Sequence, residues 1–211
     1  MSLLYPIFLD LTNRKVVVIG GGHVAGRKVE RLIECQANVT LISPQIVPPL
    51  QKLTDQMRIE LHLRPYQPGD LSGAWLVIAA CDDHHVNQQV FDEANRRHIF
   101  CNVVDDPPRC SFQVPALVQR DPLQIAIFTG GAGPALAKKI RQQLEQIFPE
   151  YYQEFLDALA KLRRRLKEKY PENQPQRAAI LSAFLESKAL KYLENQQTDA
   201  FQNILQEYLD K

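Results

Sequence analysis

Three consecutive glycines, Gly20-Gly21-Gly22, lead into His23-Val24-Ala25 and give the spacing Gly-x-Gly-x-x-Ala directly after the β-branched run Lys15-Val16-Val17-Val18-Ile19. This pattern suits a dinucleotide. The first glycine (Gly20) permits the tight turn and the second (Gly22) lets the backbone approach a pyrophosphate. The small third residue admits close helix packing, and the helix amino end favours the phosphate charge. Its position after a strand and before a helix favours this reading over a tight strand-to-helix turn that binds nothing. The ribose partner is expected at the end of the second strand, where Ser43-Pro44-Gln45 stands. Ser43 and Gln45 can hydrogen-bond a ribose, and no cation there would pair with a 2′-phosphate, so NAD is expected rather than NADP.

Two acidic pairs follow later strands: Ala80-Cys81-Asp82-Asp83 after the fourth, and Asn102-Val103-Val104-Asp105-Asp106 after the fifth. Both are expected near the crevice that holds a nicotinamide. A carboxylate beside a hydride acceptor can take a proton as the hydride leaves. Asp105, directly behind a buried strand, is the expected base. For Asp82-Asp83, capping preferences favour a helix cap for the segment from Val86 onward. Thr129-Gly130-Gly131-Ala132-Gly133 opens another helix and offers backbone donors for a substrate carboxylate; a structural turn reads equally well. The five histidines show no metal-ligand spacing, and no metal site is assigned. The basic run Lys161–Lys169 reads as a solvated helix face.

These residues need an α/β framework. Val24, Ala25, Val29, Leu32 and Ile33 recur at helical spacing after the glycines. Strands are expected at 15–19, 39–42, 59–63, 74–79 and 99–104, with a helix over 86–97, which implies a Rossmann-like, mostly parallel sheet. Strands at 111–115 and 123–128 and a long helix from Pro134 follow. From Glu150 the chain reads as three helices, broken at 171–175 and 195–198. The expected domains are an NAD-binding domain over 1–113, a dimerisation region over 114–149 and a C-terminal helical domain over 150–211.

Composition agrees with a folded globular chain: of 211 residues, 45% are hydrophobic and 23% charged, and the net charge is +1. Without a basic excess, a nucleic-acid partner is not expected. Four cysteines without Cys-x-x-Cys spacing suit free thiols, and no apolar run is long enough to span a bilayer. The start lacks the basic stretch and apolar core of a signal peptide, so a cytoplasmic protein is expected.

In order along the chain, several blocks resemble the precorrin-2 dehydrogenases, a family that includes the amino-terminal part of siroheme synthase and stand-alone dehydrogenase/ferrochelatases. They are Pro6-Ile7-Phe8-Leu9, Val18–Lys28, Ala79–Asp83 with Asn87, Phe100–Asp105 and Thr129–Pro134. The resemblance implies NAD-dependent oxidation of precorrin-2 to sirohydrochlorin by a homodimer. In members with both activities it also implies insertion of ferrous iron to give siroheme. Asp105 matches the family's catalytic aspartate, His23 and Val24 its pyrophosphate contact, and Pro44-Gln45 its ribose contact. Ala80, Asp82, Asn102 and Val103 fall in its other cofactor blocks. Thr129, Gly130 and Gly131 fall in a substrate block, where Ala132-Gly133 leaves any hydroxyl role to Thr129. A methyltransferase domain would need some 250 further residues.

A tetrapyrrole with eight carboxylates also calls for cations, which Arg109, Arg120, Lys138, Lys139 and Arg141 can supply. Arg109 and Lys138 are the leading substrate-binding candidates. The competing reading is a non-catalytic nucleotide-sensing module like those attached to potassium transporters. Against it stand Ser43 in place of an acid, the Asn-Val-Val-Asp block and the long helix after Thr-Gly-Gly. An ordinary small-substrate dehydrogenase would be expected to supply a catalytic His or Lys, and none stands out.

Overall fold

The computed structural model describes residues 4–211. Two compact units meet in sequence between Val114 and Pro115. In the first, β1 (Lys15–Ile19), β2 (Asn38–Ile42), β3 (Glu60–His62), β4 (Leu76–Ala79) and β5 (Phe100–Val103) form one sheet of order β3-β2-β1-β4-β5. Every pairing is parallel. Helices α1 (His23–Glu34), α2 (Pro48–Asp55) and α3 (His84–Arg96) lie between strands in the chain. The strand order reverses between β1 and β4, and in such sheets the crevice beyond the strand ends at that point receives ligands.

Alternation along β1 explains its continuous apolar run. Val16 and Val18 join a core with Leu41, Leu76 and Ile78, closed by Ala25, Val29 and Leu32 of α1 and Leu50 of α2. Val17 and Ile19 join the opposite core with Ile42, Val77, Cys101 and Val103, closed by Val90 and Ala94 of α3. Both faces are covered, so every position must be apolar. Helix α2 escapes the helical spacing that marks α1 because it is only eight residues long and its inward side is just Leu50, buried, and Leu53, packed partly against the same core. The strand expected at 111–115 does not form. Ser111 reaches β5 through its own backbone N–H and hydroxyl, both bonded to Cys101, and Asn102 then takes the Phe112 carbonyl. Pro115 has no N–H with which to continue a ladder.

The second unit, Pro115–Lys211, contains the antiparallel pair β6 (Ala116–Arg120) and β7 (Leu123–Ile127) and the helix α4 (Pro134–Ile147). Four helices follow rather than three: α5 (Tyr152–Lys169), α6 (Gln174–Leu185), α7 (Ala189–Glu194) and α8 (Thr198–Asp210). The additional break carries no proline or glycine. Ser187 makes it, donating to the Phe184 carbonyl and accepting from the Ala189 N–H. Phe155, Ala158, Leu162 and Leu166 run down one side of α5 into a core with Phe184, Leu193, Phe201 and Leu205. The Phe155 and Phe184 rings stack at 5.6 Å.

Arg120 closes the end of α4. Its Nε donates to the Phe148 carbonyl at 2.9 Å and its Nη1 to the Gln119 carbonyl at 2.7 Å, with the Glu150 carboxylate at 3.3 Å. A cation is favoured at a helix carboxyl end, and removing it leaves carbonyls without a donor. Arg120→Met is expected to destabilise the protein by about 2 kcal/mol, read as a lower Tm with NAD affinity unchanged. An unaltered Tm would show that these bonds contribute nothing net.

Candidate active site

Each glycine of the triplet has a different neighbour. Gly20 has φ +112°, donates its N–H to the Ile42 carbonyl, and has no room for a side chain: a Cβ would lie 2.2 Å from the Ala80 oxygen. A Cβ on Gly21 would lie 1.9 Å from the Gln45 oxygen and 2.8 Å from Ser43 Oγ. At Gly22 a Cβ would meet nothing within 4 Å. The turn is therefore packed beneath its first two glycines and open at the third. Gly22 is the N-cap of α1, no side chain caps it, and the Gly22 carbonyl accepts its first helical bond from Gly26 at 3.0 Å. The N–H groups of His23, Val24 and Ala25 precede the helical ladder and remain for an anion. This open, donor-rich cradle fits a dinucleotide pyrophosphate. Gly21 was not among the candidate residues. Its signal was the third glycine, one more than the motif requires.

The turn after β2 supports that cradle. Ser43, buried, donates its hydroxyl to the Gln45 carbonyl at 2.6 Å, and Val47 N–H donates to the Gly21 carbonyl at 2.9 Å. The Ser43 hydroxyl expected on a ribose instead shapes the turn that seats Gly21. Pro44 and Gln45 are exposed beside it.

At the end of β4, Ala80 donates its N–H to the Ile19 carbonyl at 2.7 Å and sets its own oxygen against Gly20. Asp83 caps α3, accepting from the N–H groups of His85 and Val86, while Asp82 stays exposed. Asn87 ties the turn back, donating to the Cys81 carbonyl at 3.0 Å. Burial pushes the Cys81 thiol up from its ordinary pKa.

Beyond β5, the Asn102 amide donates to the Phe112 carbonyl and to Cys110 Sγ, and Val103 is 1% exposed. Both side chains thus help to pack the end of β5. Asp105 is exposed, with a left-handed φ of +61°. Val104 before it packs into the core that α1 covers. On α1 the half-buried Lys28 ammonium is depressed chiefly by burial, then by Arg27, while the Asp105 charge opposes both. Arg109, expected to bind substrate, is ion-paired with Asp106 and donates from Nε to Gln88 Oε1 at 2.7 Å.

In the second unit, Gly130 and Gly131 have φ of +66° and +78°. The Thr129 hydroxyl donates to the Gly133 carbonyl at 3.1 Å, closing the loop before α4. Lys138 and Lys139 are exposed, and no ion pair of theirs occurs among the described residues. Arg141 pairs with Glu145 and Arg120 caps α4, so neither is a free cation. Among the described residues, no group of three or more His, Cys, Asp or Glu side chains is arranged to hold a metal ion. Among the described residues, no helix is long and apolar enough to cross a membrane.

Comparison with known proteins agrees with this geometry. A family model described as "Putative NAD(P)-binding" matches residues 7–116, more than half of the chain, and one described as "Sirohaem biosynthesis protein central" matches 120–147. Siroheme synthase 1 of Aeromonas hydrophila subsp. hydrophila is 41% identical over 157 residues, covering 74% of this chain and 34% of that protein. Siroheme synthase of Actinobacillus pleuropneumoniae serotype 3 is 43% identical over 144 residues, covering 68% and 30%. The chain thus spans about a third of the length of the curated relatives it matches. The solved structure of SirC, precorrin-2 dehydrogenase, has the same fold, with a TM-score of 0.80 at 23% identity over 97% of this chain and 100% of that one. With an open glycine cradle in a parallel sheet and the sirohaem central match following it, the chain belongs to the putative NAD(P)-binding family whose model matches residues 7–116.

Proposed function

We propose that the chain is an NAD-dependent precorrin-2 dehydrogenase that forms sirohydrochlorin, with Asp105 as its general base. One observation carries this reading: the sheet that presents the open cradle at Gly22 also presents an exposed carboxylate beyond β5, two strands away. NAD, when bound, accepts the hydride that leaves the substrate. Asp105 takes the proton released from the macrocycle as that hydride departs, which balances precorrin-2 and NAD⁺ against sirohydrochlorin, NADH and H⁺. The N–H groups at residues 23–25 hold the pyrophosphate, and Gln45, Pro44 and the Ala80 and Asp82 turn line the remaining approach. NAD is preferred to NADP because Ser43-Pro44-Gln45 brings no cation to a 2′-phosphate.

Lys138 and Lys139 are the cations for the substrate carboxylates, and the Thr129-Gly130-Gly131 loop adds backbone donors. Residues 114–149 are the region through which two copies pair, in a cytoplasmic homodimer. Ferrous iron is a second substrate, inserted into sirohydrochlorin with loss of two pyrrole N–H protons, one taken by Asp105 and the other by solvent water.

The test is an anaerobic assay of the purified protein with precorrin-2 and NAD, followed by sirohydrochlorin with ferrous iron. NADH formation with sirohydrochlorin appearing in step supports the dehydrogenase. Iron insertion above the uncatalysed rate supports the second activity, and its absence limits the protein to dehydrogenation. Tight NAD binding with no NADH formed would favour a nucleotide-sensing module.

A further inference from the structure

We propose that Gln88 on α3, acting through Arg109 and Asp106, is a positioning residue that holds the turn presenting Asp105; this rests on Asp105 being the base. Asp105 stands in a left-handed conformation that L residues other than Asn and Asp rarely adopt, so its neighbours must specify it. Most of the bonds around it are local. Asp106 N–H and Cys110 Sγ both donate to the Val103 carbonyl at 3.2 Å, Cys110 Sγ also reaches the Asp106 carbonyl, and Arg109 N–H donates to that carbonyl at 3.0 Å. Both ends of the turn are anchored to the sheet, Val104 N–H donating to the Ala79 carbonyl at 2.9 Å and Ser111 N–H to the Cys101 carbonyl at 2.8 Å, whereas the backbone bonds of residues 105–109 between them stay within the turn.

The Arg109 side chain adds a tie to a second element. Its guanidinium pairs with the Asp106 carboxylate, the residue next to Asp105, and its Nε donates to Gln88 Oε1 at 2.7 Å. Gln88 lies in the second turn of α3, and that end of the helix is fixed by the Asp83 cap and by Asn87 bonded to the Cys81 carbonyl. The chain of contacts therefore runs from the turn after β4, through α3, to the residue beside the base. A planar guanidinium suits this task because it serves two acceptors at once in a fixed geometry, which an ammonium cannot. The charged groups bearing on the turn are Asp106 and Arg109 within it and Lys28 from α1.

This assigns Arg109 to positioning, not to a substrate carboxylate, and the two roles differ kinetically. Loss of positioning lowers kcat at unchanged KM, whereas loss of a carboxylate ligand raises KM for the tetrapyrrole. In the full-length protein under the anaerobic assay, Gln88→Leu, which keeps the volume but accepts no hydrogen bond, is expected to lower kcat about tenfold or more. KM for the tetrapyrrole, NAD affinity and Tm are expected to hold. Gln88 also donates from Nε2 to Asp92 Oδ1 at 2.8 Å, so Gln88→Glu is made together with Asp92→Asn, which removes the facing carboxylate; the pair retains an acceptor for Arg109 and is expected to restore kcat to within about twofold. Gln88→Leu at wild-type kcat, with Asp105→Asn strongly slowed, would overturn the positioning role and leave the base in place. So would a lowered kcat that the Gln88→Glu, Asp92→Asn pair does not rescue, or a raised tetrapyrrole KM. A fully active Asp105→Asn, or a wild-type protein that yields no NADH, would overturn the base reading and the positioning role together.

Discussion

Asp105→Ala is expected to lower turnover of precorrin-2 by about 10²–10⁴-fold while NAD still binds with wild-type affinity. The size follows from the role proposed for the residue: a general base removes a proton that water in the same place removes far less well. The selectivity follows from where it sits. The cofactor cradle is built from Gly20, Gly21, Gly22 and the first turn of α1, two strands away from the end of β5, and no hydrogen bond of that cradle involves Asp105. Asp105 is exposed, so no core packing is lost, but its left-handed φ of +61° is less favourable for alanine than for aspartate and costs the Ala variant some backbone strain. To separate backbone strain from chemistry, Asp105→Asn serves as the companion variant, because asparagine tolerates that conformation as aspartate does. Both variants should bind NAD, and both should form NADH about 10²–10⁴-fold more slowly than the wild type. If Asp105→Asn turned over normally, the base would have to be sought elsewhere, first at Asp106, whose pairing with Arg109 would then have to be broken during the reaction.

Much of this was legible in the sequence for a definite reason. Val16 to Ile19 had to be buried on both faces because four adjacent apolar residues leave no polar face, and the structure divides them alternately between two cores. The glycine spacing then placed a cradle at the end of that strand, and the unfilled space at Gly22 agrees with it. What remained hidden was which polar side chains would be engaged by the protein itself. Ser43, Asn102, Thr129, Arg109 and Arg120 are all chemically capable of meeting a ligand, yet each is bonded to a backbone or side-chain partner nearby. No spacing rule separates the two uses, because both satisfy the same demand for a hydrogen-bond partner. The Ser187 break before α7 was hidden for a related reason: a serine ends a helix only when its hydroxyl is drawn to local backbone groups.

Gly21 is the position at which the cofactor cradle and the fold are most tightly coupled, and two alanine variants separate them. In Gly21→Ala the new methyl would fall 1.9 Å from the Gln45 backbone oxygen and 2.8 Å from Ser43 Oγ. Neither can yield independently, because the Ser43 hydroxyl is bonded to that same Gln45 carbonyl and Val47 N–H is bonded to the Gly21 carbonyl. The β1 and β2 turns must move apart, disturbing both the cradle and the packing of α2 through Leu50. A loss of about 3 kcal/mol or more in stability is expected, together with loss of NAD binding. Gly22→Ala meets no protein atom within 4 Å, and its φ of −80° suits alanine, so Tm should stay at the wild-type value. Yet the methyl occupies the space through which a pyrophosphate approaches the N–H groups of α1, and NAD affinity is expected to fall about tenfold or more. Isothermal titration of NAD alongside thermal melts of the two variants checks both. Wild-type NAD affinity in Gly22→Ala would mean that the open side of the turn is not where the phosphates lie, whereas a stable, NAD-binding Gly21→Ala would mean that the turns part at little cost.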